Sequence, residues 1–306
     1  MEAALSDTDG KLYDLAGVER ELSRLRGDRH GASVRATTVN LVVYAPTPDA
    51  VSQAEEALHM IGGGRPLRAL ILTPGQAKAM ARVASSCWLA ASGQEVCSEQ
   101  VVIEAADAAL PSAVVGLLVP DLPVFVLWQG EIGARRELLE ELSELATRLI
   151  VDSDHCGIAA AESVRGLAPS LTDLAWTRLA PWREAMAELG DSPGGLNALK
   201  RAHSLAVSGP ANEAALLAGW LRSRLKLHMG LDHAANRRHL ERVCVESRDV
   251  TLTVERVGRG SVGRAVGPDG LERPVMLPRR EWAWLVGAEL DRLGSDDAFE
   301  QALAAA

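Results

Sequence analysis

The chain has 306 residues, of which 47% are hydrophobic and 24% are charged, and its formal net charge is −9. This length predicts about two domains with enough apolar side chains to bury a core. The acidic balance argues against a protein that coats nucleic acid, because that function needs an excess of Lys and Arg to displace counterions.

The N-terminal part predicts a strand, helix, strand unit that follows a first helix. Apolar residues at helical spacing predict a helix over Leu15–Leu25, and the β-branched run Val39–Tyr44 predicts a strand. Asp49 caps a second helix, which ends at Gly62–Gly64, and Leu67–Leu72 is the next buried strand.

Two further strands are predicted at hairpin spacing, Val83–Ala90 and Val96–Ile103. If the turn is a three-residue loop centred on Ser92, Cys87 lies opposite Cys97. The Cβ atoms of such a pair are nearly close enough for a disulfide, but the two strands would have to approach each other slightly. Cytosolic cysteines are usually free thiols, so we expect Cys87 and Cys97 to be two small side chains of the core. The alternative is that they form a redox pair.

From Asp107 onwards, helices alternate with strands, which predicts a parallel sheet with helices on both faces. The predicted elements are the helices Ala108–Leu118, Arg135–Thr147, Thr172–Leu189 and Asn212–Leu227, with the strands Val124–Trp128, Arg148–Asp152 and Ser204–Ser208.

Two strands of an antiparallel sheet are predicted next, at Val243–Glu246 and Thr251–Val257. A Gly-rich turn at Gly258–Gly270 and two final helices follow. We therefore expect an α/β protein with an N-terminal mixed α+β domain over residues 1–106. Residues 107–306 are expected to form a Rossmann-like domain with an antiparallel extension.

The sequence lacks the motifs of the common enzyme classes, namely GxGxxG, GxxxxGK[ST], GxSxG and HExxH. We predict no catalytic residue, no metal ligand and no cofactor. Asp152, Asp154, His155 and Cys156 form a polar group after a strand, in which we expect an Asp to cap the next helix; the alternative is a metal or nucleophile site. A second alternative is a nucleotide pocket in the crevice at the carboxyl ends of the parallel strands.

No apolar run has the length of a membrane span, and Met1–Arg20 lacks the apolar core of a signal peptide. We therefore expect a cytoplasmic protein that binds neither membranes nor nucleic acid.

The segment from Thr172 to Arg183 combines two Trp and two Arg around Pro181, which should kink or restart the helix. Such side chains suit a partner surface, since Trp and Arg dominate interface energetics, and the alternative is that both Trp fill the core. The predicted partner-binding residues are Trp176, Arg178, Trp182, Arg183, Arg222 and Arg224. The last two belong to a basic island that also contains Lys226, Arg237, Arg238 and Arg242.

Several segments, in matching order along nearly the whole chain, together resemble the family of the glucose-6-phosphate dehydrogenase assembly protein OpcA. The two most specific are Arg148–Ser153 and Asp173–Arg183. The others are Val34–Val43, Arg65–Arg68, Val96–Val101, Leu118–Trp128, Ala218–Leu221 and Leu293–Asp296.

The resemblance implies a non-catalytic partner of glucose-6-phosphate dehydrogenase, the enzyme that opens the oxidative pentose phosphate pathway and makes NADPH. Family members are associated with assembling or activating that enzyme. This chain departs from the family in having Ser98 after Cys97, where paired cysteines are frequent, and in having Gly62–Gly64 in place of a His-Pro approach to the second strand.

Overall fold

The computed structural model of the chain describes residues 4–7, 11–30, 37–62, 65–76, 78–89, 95–234, 239–292 and 294–306. The chain divides into two compact units. The first comprises Met1–Val151, Arg165–Leu171 and Trp282–Gly294, and the second comprises Asp152–Val164, Thr172–Glu281 and Ser295–Ala306.

The first unit contains most of an eight-stranded sheet. Its strands and helices are β1 (Ala4–Asp7), α1 (Leu15–His30), β2 (Asn40–Tyr44), α2 (Pro48–Gly62), β3 (Arg68–Pro74), β4 (Met80–Leu89), β5 (Glu95–Ala105), α3 (Leu110–Leu117), β6 (Val124–Trp128), α4 (Arg136–Glu144), β7 (Arg148–Val151) and, later in the chain, α11 (Trp282–Leu290). The chain passes into the second unit within β8 (Leu171–Asp173), which is the last strand of the sheet.

The strand order in this sheet is β1-β4-β5-β3-β2-β6-β7-β8. The run β5-β3-β2-β6-β7 is parallel, while β4 pairs antiparallel with both β5 and β1. Every residue of β2 and β6 is buried, as expected for central strands with helices on both faces. The chain leaves β2 towards β3 and later returns to its other side as β6, so the topological switch point lies between β2 and β6.

The second unit contains a six-stranded, mainly antiparallel sheet and the remaining helices. Its elements are α5 (Ser153–Cys156), α6 (Ile158–Ser163), α7 (Leu174–Arg178), α8 (Ala180–Asp191), α9 (Gly195–Lys200), β9 (Ser204–Ser208), α10 (Ala211–Leu225), β10 (Gly230–Ala234), β11 (Arg242–Glu246), β12 (Thr251–Arg256), β13 (Val262–Val266), β14 (Glu272–Met276) and α12 (Asp297–Ala304). The strand order is β10-β9-β11-β12-β13-β14, and only β10 and β9 are parallel.

Helix α10 packs closely against α12 at Gly219. A Cβ atom at this position would lie 2.0 Å from the carbonyl oxygen of Ala302, so only glycine allows the two helices to approach this closely. The segment Ala218–Leu221, which carries part of the family resemblance, thus has a packing role.

The α/β class and the Rossmann-like parallel sheet are confirmed, but the parallel sheet is not where we expected it. Strands β6 and β7 join the N-terminal strands, whereas β9 joins the antiparallel sheet. The compact units accordingly do not divide at residues 106 and 107. The region predicted as a Gly-rich turn contains β13, and Pro181 lies in the first turn of the new helix α8.

Within the described part of the chain, no helix combines the length and the apolar character that crossing a bilayer requires.

Candidate functional site

Two family-like segments, Arg148–Ser153 and Asp173–Arg183, contribute side chains to one cluster in the second unit. Asp173 Oδ1 accepts hydrogen bonds from the backbone N–H of Ala175 at 2.8 Å and of Ser153 at 3.0 Å, so it caps α7 and also holds the start of α5. Asp152 caps α5 by accepting from Asp154 N at 3.2 Å, as the sequence predicted.

Arg178 lies at the end of α7. Among the described residues of this cluster, it is the only cation that pairs with three carboxylates. Its guanidinium lies 2.5 Å from Asp154 Oδ2, 3.2 Å from Asp152 Oδ2 and 3.3 Å from Glu213 Oε1. Glu213 comes from α10, and its side chain is 3% exposed. We call Asp152, Asp154, Arg178 and Glu213 the Arg178 cluster.

The Arg178 cluster has more carboxylates than cations, and burial changes their titration. Burial raises the pKa of Glu213 to about 8, and the nearby charge of Asp154 adds to this effect. Burial likewise raises the pKa of Asp173 to about 7. The hydrogen bond to Asp152 raises the pKa of His155 above its ordinary value. The cluster and its neighbours therefore bind protons in the neutral pH range.

Cys156 is not an activated nucleophile. Burial, with the charge of Asp173 as the next cause, raises the pKa of its thiol to about 12, so the thiol stays protonated at neutral pH. Within the described residues, no group of three or more His, Cys, Asp or Glu side chains is arranged to hold a metal ion. Within this polar group, Asp152 caps α5, and both Asp152 and Asp154 pair with Arg178.

Trp176 and Trp182 are part of the core, being 0% and 4% exposed. The indole N–H of Trp176 donates to Asp296 Oδ2 at 2.9 Å, and the Arg183 guanidinium stacks 3.4 Å from the centre of the Trp176 ring system. This arrangement corrects the expectation of an indole surface for a partner, because neither ring is accessible. The apolar area of both indoles is used inside the unit, while Arg178 and Arg183 stay partly exposed.

The basic island is divided between structural and exposed members. Arg222 donates to the carbonyls of Met229 at 3.0 Å and Ala305 at 3.2 Å, which connects the end of α10 to the chain terminus. Arg224 and Lys226 are exposed. A groove of about 690 Å³ is lined by Arg222, Ser223, Lys226, Leu227, His228, Met229, Gly230 and Ala305. Arg242 lies on β11, and Arg237 and Arg238 fall outside the described residues.

Cys87 and Cys97 face each other across β4 and β5, so the predicted register is confirmed. They form a disulfide with their Cα atoms 4.1 Å apart, which corrects the expectation of two free thiols. The predicted turn around Ser92 lies outside the described residues.

Two polar side chains of the family-like segments in the first unit bind other family-like segments. Arg68 on β3 is fully buried and donates to Glu99 Oε2 on β5 at 2.7 Å. Asn40 on β2 donates to Val119 O and accepts from Val119 N, both at 2.9 Å. A charge or an amide inside an otherwise apolar strand was the sequence signal for both pairs. Glu213 of the second unit gave no comparable signal, because it lies on a helix 35 residues from Arg178.

Two aromatic rings stack at the switch point. Tyr44 and Trp128 end their strands in register, and their rings stack with centres 4.0 Å apart. Gly130 covers them, since a Cβ there would lie 2.7 Å from the Tyr44 ring. The rings thus lie at the carboxyl ends of β2 and β6, the edge of the sheet where ligands bind in comparable folds.

Comparison with known proteins gives two family models that together cover most of the chain. Both are described as domains of a "Glucose-6-phosphate dehydrogenase subunit". The model of the N-terminal domain matches residues 59–167, and the model of the C-terminal domain matches residues 169–303.

Curated relatives include a protein of Nostoc punctiforme named "Putative OxPP cycle protein OpcA", which is 32% identical over 145 residues, or 43% of this chain and 30% of the relative. A protein of the same name from Synechococcus elongatus is 28% identical over 183 residues, or 55% of this chain and 41% of the relative. The chain thus spans less than half the length of these relatives.

Among solved structures, an oxidoreductase from Bacillus cereus superposes with a TM-score of 0.49 at 10% identity, covering 87% of this chain and 93% of that one. A glucose-6-phosphate dehydrogenase bound to glucose-6-phosphate superposes with a TM-score of 0.43 at 9% identity, covering 90% and 91%.

Proposed function

Because the chain belongs to the OpcA family of glucose-6-phosphate dehydrogenase assembly proteins, we propose that it binds this dehydrogenase in the cytoplasm and favours its active oligomer or conformation. It does so without catalysis of its own. Such an effect requires tighter binding to the favoured state of the enzyme than to the other state.

One observation carries the non-catalytic part of the proposal. The polar side chains of the family-like segments are used to hold the fold together, in the pairs Arg68 with Glu99, Asn40 with Val119, Arg178 with Asp152, and Trp176 with Asp296. Catalytic groups must instead be directed at a substrate. We infer that these segments stabilise the fold and the shape of its surface, as expected for a protein that acts by contact.

We propose the groove beside Arg224 and Lys226 as one contact with the dehydrogenase. Both side chains are exposed in a chain whose net charge is −9, so they form a local basic surface on an acidic protein. Such a surface fits acidic side chains of a partner and contributes mainly to the rate of association. Arg183, partly exposed on α8, is a second candidate contact.

The test is the activity of purified glucose-6-phosphate dehydrogenase from the same organism, with and without this chain. We expect a change of at least about fivefold in kcat/KM, or a larger oligomer by light scattering, at saturating amounts of the chain. No change in kcat, KM or mass would overturn the proposal. Hydrolysis or oxidation of a metabolite by the chain alone would overturn its non-catalytic part.

The groove has its own test, the double substitution Arg224→Glu with Lys226→Glu. We expect about a tenfold loss of affinity for the dehydrogenase, because two attractive charges become repulsive. The matched control is Lys200→Glu, which reverses an exposed charge on α9. Equal affinities for both variants would exclude this groove and leave the wider proposal intact.

The rival function is a small-molecule sensor that uses the switch-point crevice. A thermal-shift screen of nucleotides and sugar phosphates distinguishes the two, since a true ligand raises the melting temperature in a concentration-dependent way. We expect no shift with nucleotides, because the Tyr44–Trp128 stack lies at the carboxyl ends of β2 and β6, where a nucleotide would have to bind. A nucleotide that stabilises the chain would favour the rival.

A further inference from the structure

One face of the six-stranded sheet in the second unit carries exposed side chains on β12, β13 and β14 and at both ends of β11, where Cys244 between them is buried. Along β12 and β13 the side chains alternate between a buried set and a more exposed set; on β13, for example, Gly263 and Ala265 are buried, while Val262 and Arg264 are exposed. Helices α8, α9 and α10 contact this sheet. We call the exposed side of β11 to β14 the outer face.

Charges of alternating sign cross the outer face from strand to strand. Arg242 on β11 is in register with Glu255 on β12, which is in register with Arg264 on β13. Arg242 lies 3.5 Å from Glu255, Arg264 is ion-paired with Glu255, and Arg264 also lies 2.8 Å from Glu272 on β14. The order of charge is therefore positive, negative, positive, negative.

Three large apolar side chains lie on the same face beside these charges. Val257, Val262 and Met276 are 53%, 50% and 64% exposed. Val262 and Met276 are cross-strand neighbours, and Val257 N donates to Val262 O at 3.0 Å. A solvated sheet face normally carries polar side chains at such positions, so an exposed apolar group indicates a surface that becomes covered.

We propose that the outer face binds a second copy of this chain about a two-fold axis that runs along the strands, between β12 and β13. Turning a copy over about this axis reverses the order of the strands but keeps each residue at its level along them. Glu255 of each copy then faces Arg264 of the other, and Val257 faces Val262. A surface that is complementary to itself in both charge and apolar contact is what an isologous dimer requires.

The size of the face sets the expected strength. The four strands of the outer face, with about five residues each, span roughly 19 Å by 17 Å, or about 320 Å² in projection. This is less than half of the area, about 800 Å², that a partner buries in a standard interface. We therefore expect a reversible dimer with a micromolar dissociation constant, independent of the dehydrogenase.

The experiment is a pair of opposite charge reversals, Glu255→Arg and Arg264→Glu. Sedimentation velocity of the unmodified chain at roughly 100 μM, well above a micromolar Kd, should give twice the monomer mass of 32.6 kDa. Each variant alone should be monomeric, because like charges face each other across the axis. A mixture of the two variants should recover the dimer, since the arginine introduced at position 255 of one copy then faces the glutamate introduced at position 264 of the other.

Recovery of the dimer in the mixture distinguishes the loss of the interface from a folding defect. Each variant also loses the ion pair within its own chain, and mixing does not restore that pair. The control Arg201→Glu, an exposed charge outside the sheet, should keep the dimer. A monomeric unmodified chain, dimers in both single variants, or no recovery on mixing would each overturn the proposal. A monomer whose dehydrogenase binding is lost on either reversal would also overturn it, and would assign the face to the enzyme. Because the dimer is measured without the dehydrogenase, its failure leaves the proposed function standing.

Discussion

The two units use a buried arginine in different ways. In the first unit, Arg68 on β3 forms ion pairs with the buried Glu99 and the partly exposed Glu19. It also donates a hydrogen bond to the carbonyl of Leu117. In the second unit, Arg178 lies at a helix end, is one quarter exposed and meets three carboxylates. In the first arrangement the arginine and Glu99 are buried, whereas in the second the arginine is partly open to water and surrounded by more carboxylates.

The difference indicates to which kind of change each unit is sensitive. A buried ion pair such as Arg68 with Glu99 cannot lose one member without leaving an uncompensated charge in a dry environment. The Arg178 cluster contains Glu213, whose raised pKa allows it to take up a proton instead. We therefore expect the first unit to be sensitive to substitution and the second to be sensitive to pH.

The largest effect should come from Arg68→Met. This variant leaves Glu99 buried without its cation, which should lower the free energy of unfolding by about 3–5 kcal/mol. Urea denaturation gives the value. The control is Arg65→Met, whose pair with the exposed Asp291 should contribute less than about 1 kcal/mol. Similar losses in both variants would remove the contrast between a buried and an exposed pair.

The next effect concerns the disulfide of the first unit. Cys97→Ser should cost about 2–4 kcal/mol in urea denaturation, since the bond closes a loop between residues ten apart. Thiol titration of the denatured chain should find two free thiols without reductant, Cys156 and Cys244, and four with it. Four free thiols in the oxidised chain would contradict the disulfide. The control Cys244→Ser removes a thiol that is not in the bond.

The pH dependence of the second unit should be weaker in Glu213→Gln. Folded Glu213 keeps a proton up to about pH 8, and the unfolded chain loses it near the ordinary value of 4.5, so the folded state binds more protons between these limits. Stability therefore falls as pH rises through this window, by at most about 1.4 kcal/mol per pH unit. Urea denaturation from about pH 5 to 8 should show a flatter profile for the variant. Asp173 retains a slope of the same sign between its ordinary pKa of 3.8 and about pH 7.

The smallest effect should come from Asp296→Asn. The amide can still cap α12 through its oxygen, but its N–H₂ group faces the indole N–H of Trp176, and two donors cannot form a hydrogen bond. We therefore expect the free energy of unfolding to fall by about 1 kcal/mol. A shift in tryptophan fluorescence should accompany the loss. Ser295→Ala, one residue earlier, is the control and should change neither quantity.

Local patterns were sufficient for the identity of most elements. Short apolar runs located β2 and β6, and helical patterns located α2 and α4. The hairpin spacing placed Cys87 opposite Cys97, because a short turn fixes the register of its two strands. The cap by Asp152 also follows a local rule, since its side chain bonds a backbone N–H two residues on. The predicted cap of α2 by Asp49 is wrong, because α2 begins at Pro48 and Thr47 Oγ1 accepts from Ala50 N at 3.2 Å.

Sheet membership could not be predicted in this way. Whether β6 pairs with β2 or with β9 depends on contacts between strands about 80 residues apart, and every apolar strand of this chain offers similar edges. The same holds for the Trp residues: the spacing put Trp176 and Trp182 on helical faces, but their burial depends on which helices and strands pack against them.

The amino-acid sequence by itself determined the α/β class, the hairpin register, the helix cap by Asp152 and the resemblance that leads to the family. These properties depend on neighbours within a few residues or on patterns that relatives share. Only the tertiary structure decided the two units, the Arg68 and Arg178 pairings and the raised pKa of Glu213. Each of these arises from groups that are distant in the chain, and their energies depend on burial, which no local pattern encodes.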